Sequence, residues 1–122
     1  MMTINHLHLK TRNLKESVKF YSLFGFKEKV RITETLLFLQ DEAGFDLALD
    51  QVDSVGDLPK GVHFGFALKS RNDVESVLAL LKQSYPHLLS RNELRDNGSW
   101  GDIEFTDPDG YPIQIYWDVD LH

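Results

Sequence analysis

The same nine-residue pattern occurs twice in this chain, as Lys10-Thr11-Arg12-Asn13-Leu14-Lys15-Glu16-Ser17-Val18 and as Lys69-Ser70-Arg71-Asn72-Asp73-Val74-Glu75-Ser76-Val77. Six of the nine positions are identical, and the copies lie 59 positions apart in a chain of 122 residues. A second echo follows in the same order, because Asp41-Glu42-Ala43-Gly44 returns 66 positions later as Asp107-Pro108-Asp109-Gly110. Two ordered echoes predict two copies of one supersecondary unit, with a functional cleft formed by the two together.

Apolar periodicity predicts the same order of elements in both copies, namely a strand, a helix and three further strands. The first copy gives a strand over 3–11, a helix from Asn13 to Gly25, and strands over 26–32, 35–40 and 45–51. The second gives a strand over 62–68, a helix from Asn72 that ends before Pro86, and strands near 88–95, 100–106 and 111–117. These patterns predict one α+β domain over 1–122, with module one at about 1–52, a linker at about 53–60 and module two at about 61–122.

Each predicted helix starts with the spacing of a capping box, Asn13 with Glu16 and Asn72 with Glu75. Apolar residues at helical spacing then predict the buried stripe of each helix. The stripe is Leu14, Val18 and Tyr21 in the first helix, and Val74, Val77, Leu78 and Leu81 in the second. In the second echo, Asp107 is expected to cap the turn and Gly110 to take a positive φ angle, so neither is given a chemical role.

Composition excludes several classes of function. A net charge of −6 argues against nucleic acid as a partner, because phosphate binding needs a basic face. No apolar run approaches the roughly 20 residues that span a bilayer, and the first residues lack the apolar stretch of a signal peptide, so no membrane partner is expected. The absence of cysteine excludes thiolate metal sites and disulfides, and favours the cytoplasm.

The repeat makes some polar residues equivalent. His6 and His63 lie on the predicted first strands, and Ala48 and Gln114 on the predicted last strands of the two copies. Side chains alternate with a period of two along a strand, so each pair keeps the same face. Two imidazoles and an amide that meet in one cleft could hold a divalent metal.

Four segments together carry a resemblance to a known family: Ile4-Asn5-His6-Leu7, Leu23-Phe24-Gly25-Phe26, His63-Phe64-Gly65-Phe66 and, most specifically, Phe105-Thr106-Asp107-Pro108-Asp109-Gly110-Tyr111-Pro112-Ile113. Through these segments the chain resembles the vicinal oxygen chelate superfamily, which contains glyoxalase I, fosfomycin-modifying enzymes, extradiol dioxygenases and bleomycin-resistance proteins. The resemblance implies two tandem βαβββ modules that form a curved mixed sheet with a central cleft. It does not select one activity, because this scaffold hosts unrelated functions.

The resemblance implies a metal set of His6, His63 and Gln114, the last at a position where the enzymes of the family usually carry a glutamate. Ala48 stands where glyoxalase-type members carry another glutamate, and either Asp46 or Asp50 could substitute if the register differs. Alanine cannot coordinate, and an amide is a weaker donor than a carboxylate. The expected cofactor is therefore none, or a loosely held divalent Zn, Ni, Fe or Mn.

The remaining candidates for the ligand-binding cleft are His8, Asp50, Trp100 and Tyr116, beside His6, His63 and Gln114. Each has a purely structural alternative. The histidines could fill a concave sheet face, Gln114 could form a hydrogen bond rather than coordinate a metal, and Trp100 could cover the core rather than stack on a ligand.

The favoured function is a small-molecule-binding, resistance-type protein with an incomplete metal set. The alternative is a metal-dependent lyase or extradiol-type dioxygenase that uses His6 and His63 as ligands, and an interaction module without a small ligand is the third possibility. The resemblance also predicts a homodimer, because short members of the family commonly pair their modules across chains. Catalytic residues and the substrate stay unassigned.

Overall fold

The computed structural model describes residues 1–120, and its backbone forms two compact units that divide after Leu58. Unit one contains β1 (His6–Thr11), α1 (Leu14–Ser22), β2 (Lys27–Arg31), β3 (Leu36–Gln40) and β4 (Asp46–Gln51). Unit two contains β5 (Phe64–Leu68), α2 (Arg71–Ser84), a short 3-10 helix (Pro86–Leu88), β6 (Arg95–Asp96), β7 (Trp100–Thr106) and β8 (Pro112–Asp118). The predicted α+β fold of two tandem βαβββ modules is confirmed.

The two sheets have the same topology. Their strand orders are β1-β4-β3-β2 and β5-β8-β7-β6, so in each unit the first strand pairs in parallel with the last. Leu7 lies opposite Leu47 in the first sheet, and Phe64 lies opposite Ile113 in the second. Equivalent positions are therefore 57 residues apart on the first strands and 66 apart on the last, as the pairings of His6 with His63 and of Ala48 with Gln114 require.

Each sheet packs one face against the helix of its own unit. In unit one this helix face carries the fully buried leucines of β3 and β4, and α1 lies against them: Leu37, Leu39, Leu47 and Leu49. In unit two the helix face of β7 and β8 lies against α2 and is equally apolar: Ile103, Phe105, Ile113, Ile115 and Trp117. Because side chains alternate, the intervening residues of every strand form a second face, which carries the candidate site residues of both units.

The start of α1 agrees with the sequence analysis. Asn13 is the N-cap, and its Oδ1 accepts from the backbone N–H of Glu16 at 3.2 Å. The backbone N–H of Asn13 donates to the hydroxyl of Thr11 instead of to Glu16, so only half of the predicted capping box is present. Gln51, the last residue of β4, accepts from the N–H of Leu14 at 2.9 Å and satisfies a further helix donor.

The start of α2 differs from the sequence analysis, which expected Asn72 with Glu75. The N-cap is Ser70, whose hydroxyl accepts from the N–H of Asp73 at 3.2 Å. Arg71 and Asn72 already belong to the helix. The physical reason is that Ser70 has an extended backbone and a hydroxyl at the right distance, which makes it an equally good cap two residues earlier.

The second strand of unit two also differs from expectation, whereas the third and fourth strands agree with it. The strand predicted near 88–95 is reduced to the two residues of β6 and an isolated bridge between Leu89 and Phe105. Pro86 begins a 3-10 helix there, and its fixed φ angle and missing N–H favour that turn over a strand. The strands predicted over 100–106 and 111–117 correspond to β7 and β8.

Two echoed turns precede the last strands and are built alike. Asp107 Oδ1 accepts from the N–H groups of Asp109 and Tyr111, and Gly110 has a φ angle of +97°. In unit one, Asp41 Oδ1 accepts from the N–H of Phe45. The structural role predicted for this motif is thus confirmed. No helix in residues 1–120 has the length and apolar character needed to cross a bilayer.

Candidate functional site

The second face of unit one places two histidines beside two aspartates. His6 lies opposite Asp46, and His8 opposite Ala48, on the parallel pair of β1 and β4. His8 Nε2 lies 3.5 Å from Asp50 Oδ2, with half of the His8 side chain exposed. The structure therefore brings two of the predicted site residues, His8 and Asp50, into a direct contact.

Asp46 is already engaged by its own neighbours. Its carboxylate accepts from Lys29 Nζ at 3.0 and 3.1 Å and from the amide of Gln40 at 3.0 Å. These bonds lower the pKa of Asp46 below its usual value, and the largest cause is the bond from Lys29. An ionised Asp46 opposite His6 provides negative charge on this face. The oxygens of Asp46 already accept hydrogen bonds from Lys29 and Gln40.

His6 has one ring nitrogen occupied locally. Its Nδ1 lies 2.9 Å from Asn5 Oδ1, which favours the tautomer that carries the proton on Nδ1. That tautomer leaves Nε2 with a lone pair, as a metal or a ligand N–H or O–H group requires. Ala48 is only 1% exposed between His8 and Phe38 and contributes no polar atom to this face.

The second face of unit two contains a polar cluster that the sequence analysis did not find. Asp102 on β7 is fully buried, and Gln114 on β8 donates its Nε2 to Asp102 Oδ2 at 2.6 Å. Arg95 binds both oxygens of the same carboxylate, with 2.9 Å from Nε to Oδ1, and Arg91 Nη2 lies 3.4 Å from Oδ1. The hydrogen bond with Asp102 raises the pKa of Arg95. Tyr116 lies opposite Asp102 across the strands and is half-buried.

Trp100 begins β7 and remains 41% exposed. The guanidinium carbon of Arg95 lies 5.6 Å from the centre of its ring, within the range of a cation–π contact. The predicted face for ligand stacking is therefore already in contact with Arg95 on one side.

His63 is the residue immediately before β5, and it is exposed. The strand predicted from 62 begins only at Phe64, which lies opposite Ile113. The next position towards the N-terminus would pair with Pro112, which has no N–H to extend the ladder. His63 and Gln114 still lie near the same end of the adjacent strands β5 and β8.

Unit one offers the imidazole of His6, and unit two offers the imidazole of His63 and the amide oxygen of Gln114, because the Gln114 nitrogen is turned towards Asp102. No carboxylate stands at either position 48 or position 114. Within residues 1–120, no group of three or more His, Asp or Glu side chains is arranged as a metal site.

A shallow groove of 390 Å³ lies elsewhere on unit two, between α2 and residues 92–96. None of the predicted site residues lines it. Arg71 closes one side by binding Asp96 at 2.7 Å and Glu75 at 2.9 Å, so these three charged groups are paired with one another.

Sequence reasoning missed Asp102, Arg95, Arg91 and Lys29 as members of these faces. In the sequence, Asp102 occurs within a strand that alternates between apolar and polar residues, as any solvated strand does. Its burial depends on arginines seven and eleven residues away. A local pattern carries no signal for such a contact.

The chain is similar to known proteins in both sequence and fold. The model of the Glyoxalase/Bleomycin resistance protein/Dioxygenase superfamily matches residues 3–115. A manganese-dependent 2,3-dihydroxybiphenyl 1,2-dioxygenase from Geobacillus genomosp. 3 is 30% identical over 119 residues, which cover 94% of this chain. The chain spans only 36% of the length of that relative.

Two solved structures show the same fold at low sequence identity. The genomically encoded fosfomycin resistance protein FosX from Listeria monocytogenes superposes with a TM-score of 0.79 at 18% identity, over 96% of this chain and 93% of that one. A possible glyoxalase from Bacillus cereus superposes with a TM-score of 0.76 at 22% identity, over 94% and 98% of the two chains.

Proposed function

The chain belongs to the Glyoxalase/Bleomycin resistance protein/Dioxygenase superfamily, and on that premise we propose that it binds a small molecule on the second faces of its sheets, with any divalent metal held loosely. The observation that carries this proposal is the state of Gln114. A neutral amide stands where metal-dependent relatives are expected to carry a carboxylate, and its nitrogen is bound to Asp102. Such a position offers one oxygen and no negative charge to a cation.

A second candidate is a metal-dependent dioxygenase or lyase that uses His6, His63 and Gln114. It is favoured by the 30% identity to a manganese-dependent dioxygenase. In that case the metal would be Mn, Fe, Ni or Zn, and it would supply Lewis-acid or oxygen chemistry. The contribution of this chain would be two imidazoles, and Asp46 or Asp50 would be the nearest carboxylates on the second face of unit one.

Metal content and ligand binding separate the two candidates. We expect the protein to purify with substoichiometric metal and to lose it to a mild chelator, because its donors are neutral. We expect the chelated protein still to bind a small molecule, detected by ligand-observed NMR with 2,3-dihydroxybiphenyl, fosfomycin and bleomycin as probes. One tightly held metal per chain, retained through chelation, would instead establish the enzyme candidate.

His63→Ala tests whether the predicted site is the site used. It is expected to weaken binding of the best probe, or of Mn²⁺ alone, by about tenfold or more, because loss of even an outer-shell partner of a metal ligand typically costs that much. The matched control is His87→Ala, which removes an exposed histidine from the 3-10 helix. If the two variants bind every probe and Mn²⁺ equally well, the site assignment fails.

We further propose that the protein is a cytoplasmic homodimer without nucleic-acid or membrane partners. Strand β2 is an edge of its sheet and is exposed along its whole length, with Val30 at 45% and, just after it, Ile32 at 55%. An edge strand presents unpaired backbone N–H and C=O groups with which another chain can pair, and Val30 and Ile32 add exposed apolar area among its charged residues. Sedimentation velocity is expected to give a dimer, and Val30→Glu to shift it towards monomer. A wild-type monomer at high concentration contradicts the proposal.

A further inference from the structure

Asp102 is a buried acidic residue whose position the fold does not require. Its side chain is fully buried on the second face of unit two, whereas Glu104, two residues along the same strand, is about half exposed. At the equivalent place in unit one stands Leu36, which lies opposite Asp50 as Asp102 lies opposite Tyr116. The sheet of unit one, which has the same topology, therefore forms with an uncharged residue at this position. Burying one is expensive unless it is fully paired, which calls for a reason beyond the fold.

The partners of Asp102 fix its hydrogen-bonding role. Arg95 and Arg91 approach it with guanidinium N–H groups, and Arg95 does so with two nitrogens at once. A carboxylate held between two guanidinium groups is an acceptor only. Arg95 is held in turn by Glu104 at 3.5 Å and by the ring of Trp100. The carboxylate therefore stands in one orientation and presents lone pairs to its remaining neighbour.

That neighbour is the amide of Gln114. An amide can turn either its oxygen or its nitrogen to a partner, and the two orientations have almost the same shape. Against an acceptor-only carboxylate, only the nitrogen can make a favourable contact, and Nε2 lies 2.6 Å from Asp102 Oδ2. The opposite orientation would place the carbonyl oxygen against negative charge. The direction of the Gln114 amide is thus set by chemistry, and its Oε1 points away from Asp102.

From this arrangement we infer that Asp102 is a positioning residue, which locks Gln114 so that its Oε1 is offered to the bound molecule as an acceptor. The inference rests on the proposed function, in which the second face carrying Gln114 binds the ligand. It assigns the chemistry of the group that meets Gln114, which is electropositive, either a divalent cation or an N–H or O–H of the small molecule. A neutral amide at position 114 can donate to the buried carboxylate of Asp102, whereas a second carboxylate there would repel it.

The contact between Asp102 and Gln114 predicts that substitutions at the two positions have effects that depend on each other. Gln114→Glu alone places a second carboxylate against buried Asp102, so we expect it to destabilise unit two and to gain no Mn²⁺ affinity from its charge. Asp102→Asn together with Gln114→Glu exchanges the amide and the acid between the strands. Arg95 and Arg91 lose their carboxylate in the double variant, so it should stay less stable than the wild-type protein, but the two changes together should cost less than the sum of the single ones. It is expected to bind Mn²⁺ about tenfold more tightly than the wild-type protein, because an oriented carboxylate replaces an oriented amide.

The experiment is a double-mutant cycle on the full chain with two readouts. Urea unfolding gives the coupling of the two positions, and isothermal titration with Mn²⁺ alone gives the affinity. Asp73→Asn is the matched control, because it removes an exposed acidic charge from the first turn of α2 in the same unit and leaves the contacts of Asp102 in place. We expect it to preserve the coupling. Additive effects on stability, with Gln114→Glu as stable as the control, would overturn the inference.

A third measurement uses the wild-type protein, so it depends neither on the folding of a variant nor on metal binding. In the wild-type protein, the side-chain amide protons of Gln114 should exchange slowly with solvent, and one should be shifted downfield by its short bond to a carboxylate. Fast exchange and an ordinary shift would overturn the positioning role by themselves. If the amide is protected and the cycle is coupled, but neither Mn²⁺ nor any probe binds, the positioning stands and the proposed function fails.

Discussion

Replacing Gly101 with alanine should be among the most damaging single changes in unit two. We expect Gly101→Ala to lower its free energy of unfolding by about 3 kcal/mol or more, the upper range for overpacking a core. Gly101 lies on β7 opposite Trp117, which is 1% exposed. A Cβ there would stand 2.6 Å from Cζ3 of the Trp117 indole and closer still to the backbone oxygen of Arg95. The ring and the adjacent strand β6 cannot both withdraw without opening the sheet.

Urea unfolding followed by tryptophan fluorescence measures this effect, because both tryptophans of the chain lie in unit two. Gly98→Ala is the matched control. Gly98 has a φ angle of +88° and open space around its Cβ position, so it pays only backbone strain of about 1–2 kcal/mol. Trp117→Phe should partly rescue Gly101→Ala by removing one of the two clashes. An effect of Gly101→Ala no larger than that of the control would show that the packing described here is wrong.

The repeat predicts the fold from the sequence, but the strongest echo is out of phase with the structure. The echoed stretches lie 59 positions apart, whereas the first strands and the N-caps Asn13 and Ser70 are equivalent at 57. Burial in the helices follows the structural spacing, since buried Ser17 and Tyr21 correspond to buried Val74 and Leu78. Packing against the sheet sets the phase of a helix, and a sequence identity on its exposed side does not.

The candidate site was predictable only where the repeat placed residues on equivalent strands. The pairings of β1 with β4 and of β5 with β8 follow from topology and confirm the relation of Ala48 to Gln114. The partners of Gln114 were not predictable. Asp102 is brought to it by a diagonal across two strands, and the arginines reach it from an irregular segment. Which side chains touch Gln114 on the second face depends on the strand register and on how far the arginine side chains extend. A local sequence pattern contains neither piece of information.

The stripe of α1 offers the second large test, because the structure confirms Leu14 and Tyr21 but buries Phe20 rather than Val18. Helical spacing favoured Leu14, Val18 and Tyr21, whereas the structure buries Phe20 completely and leaves Val18 half-buried. Ser17 is buried as well, and its hydroxyl donates to Thr11 Oγ1 at 2.9 Å, so a polar residue occupies part of the inner face. Hydropathy alone could not assign that position to the core.

Phe20→Ala is therefore expected to destabilise unit one by about 3–5 kcal/mol, the usual range for removing a buried phenylalanine. The ring packs edge-on against Tyr21 and Phe24, with centroids 5.2 and 5.3 Å away, and those contacts are lost with it. Val18→Ala should have a much smaller effect, about 1 kcal/mol, because its side chain is only partly buried. Amide hydrogen exchange in β4 localises the effect to unit one. Equal losses of protection in the two variants would restore the stripe that the sequence favoured, with Val18 inside and Phe20 at its margin.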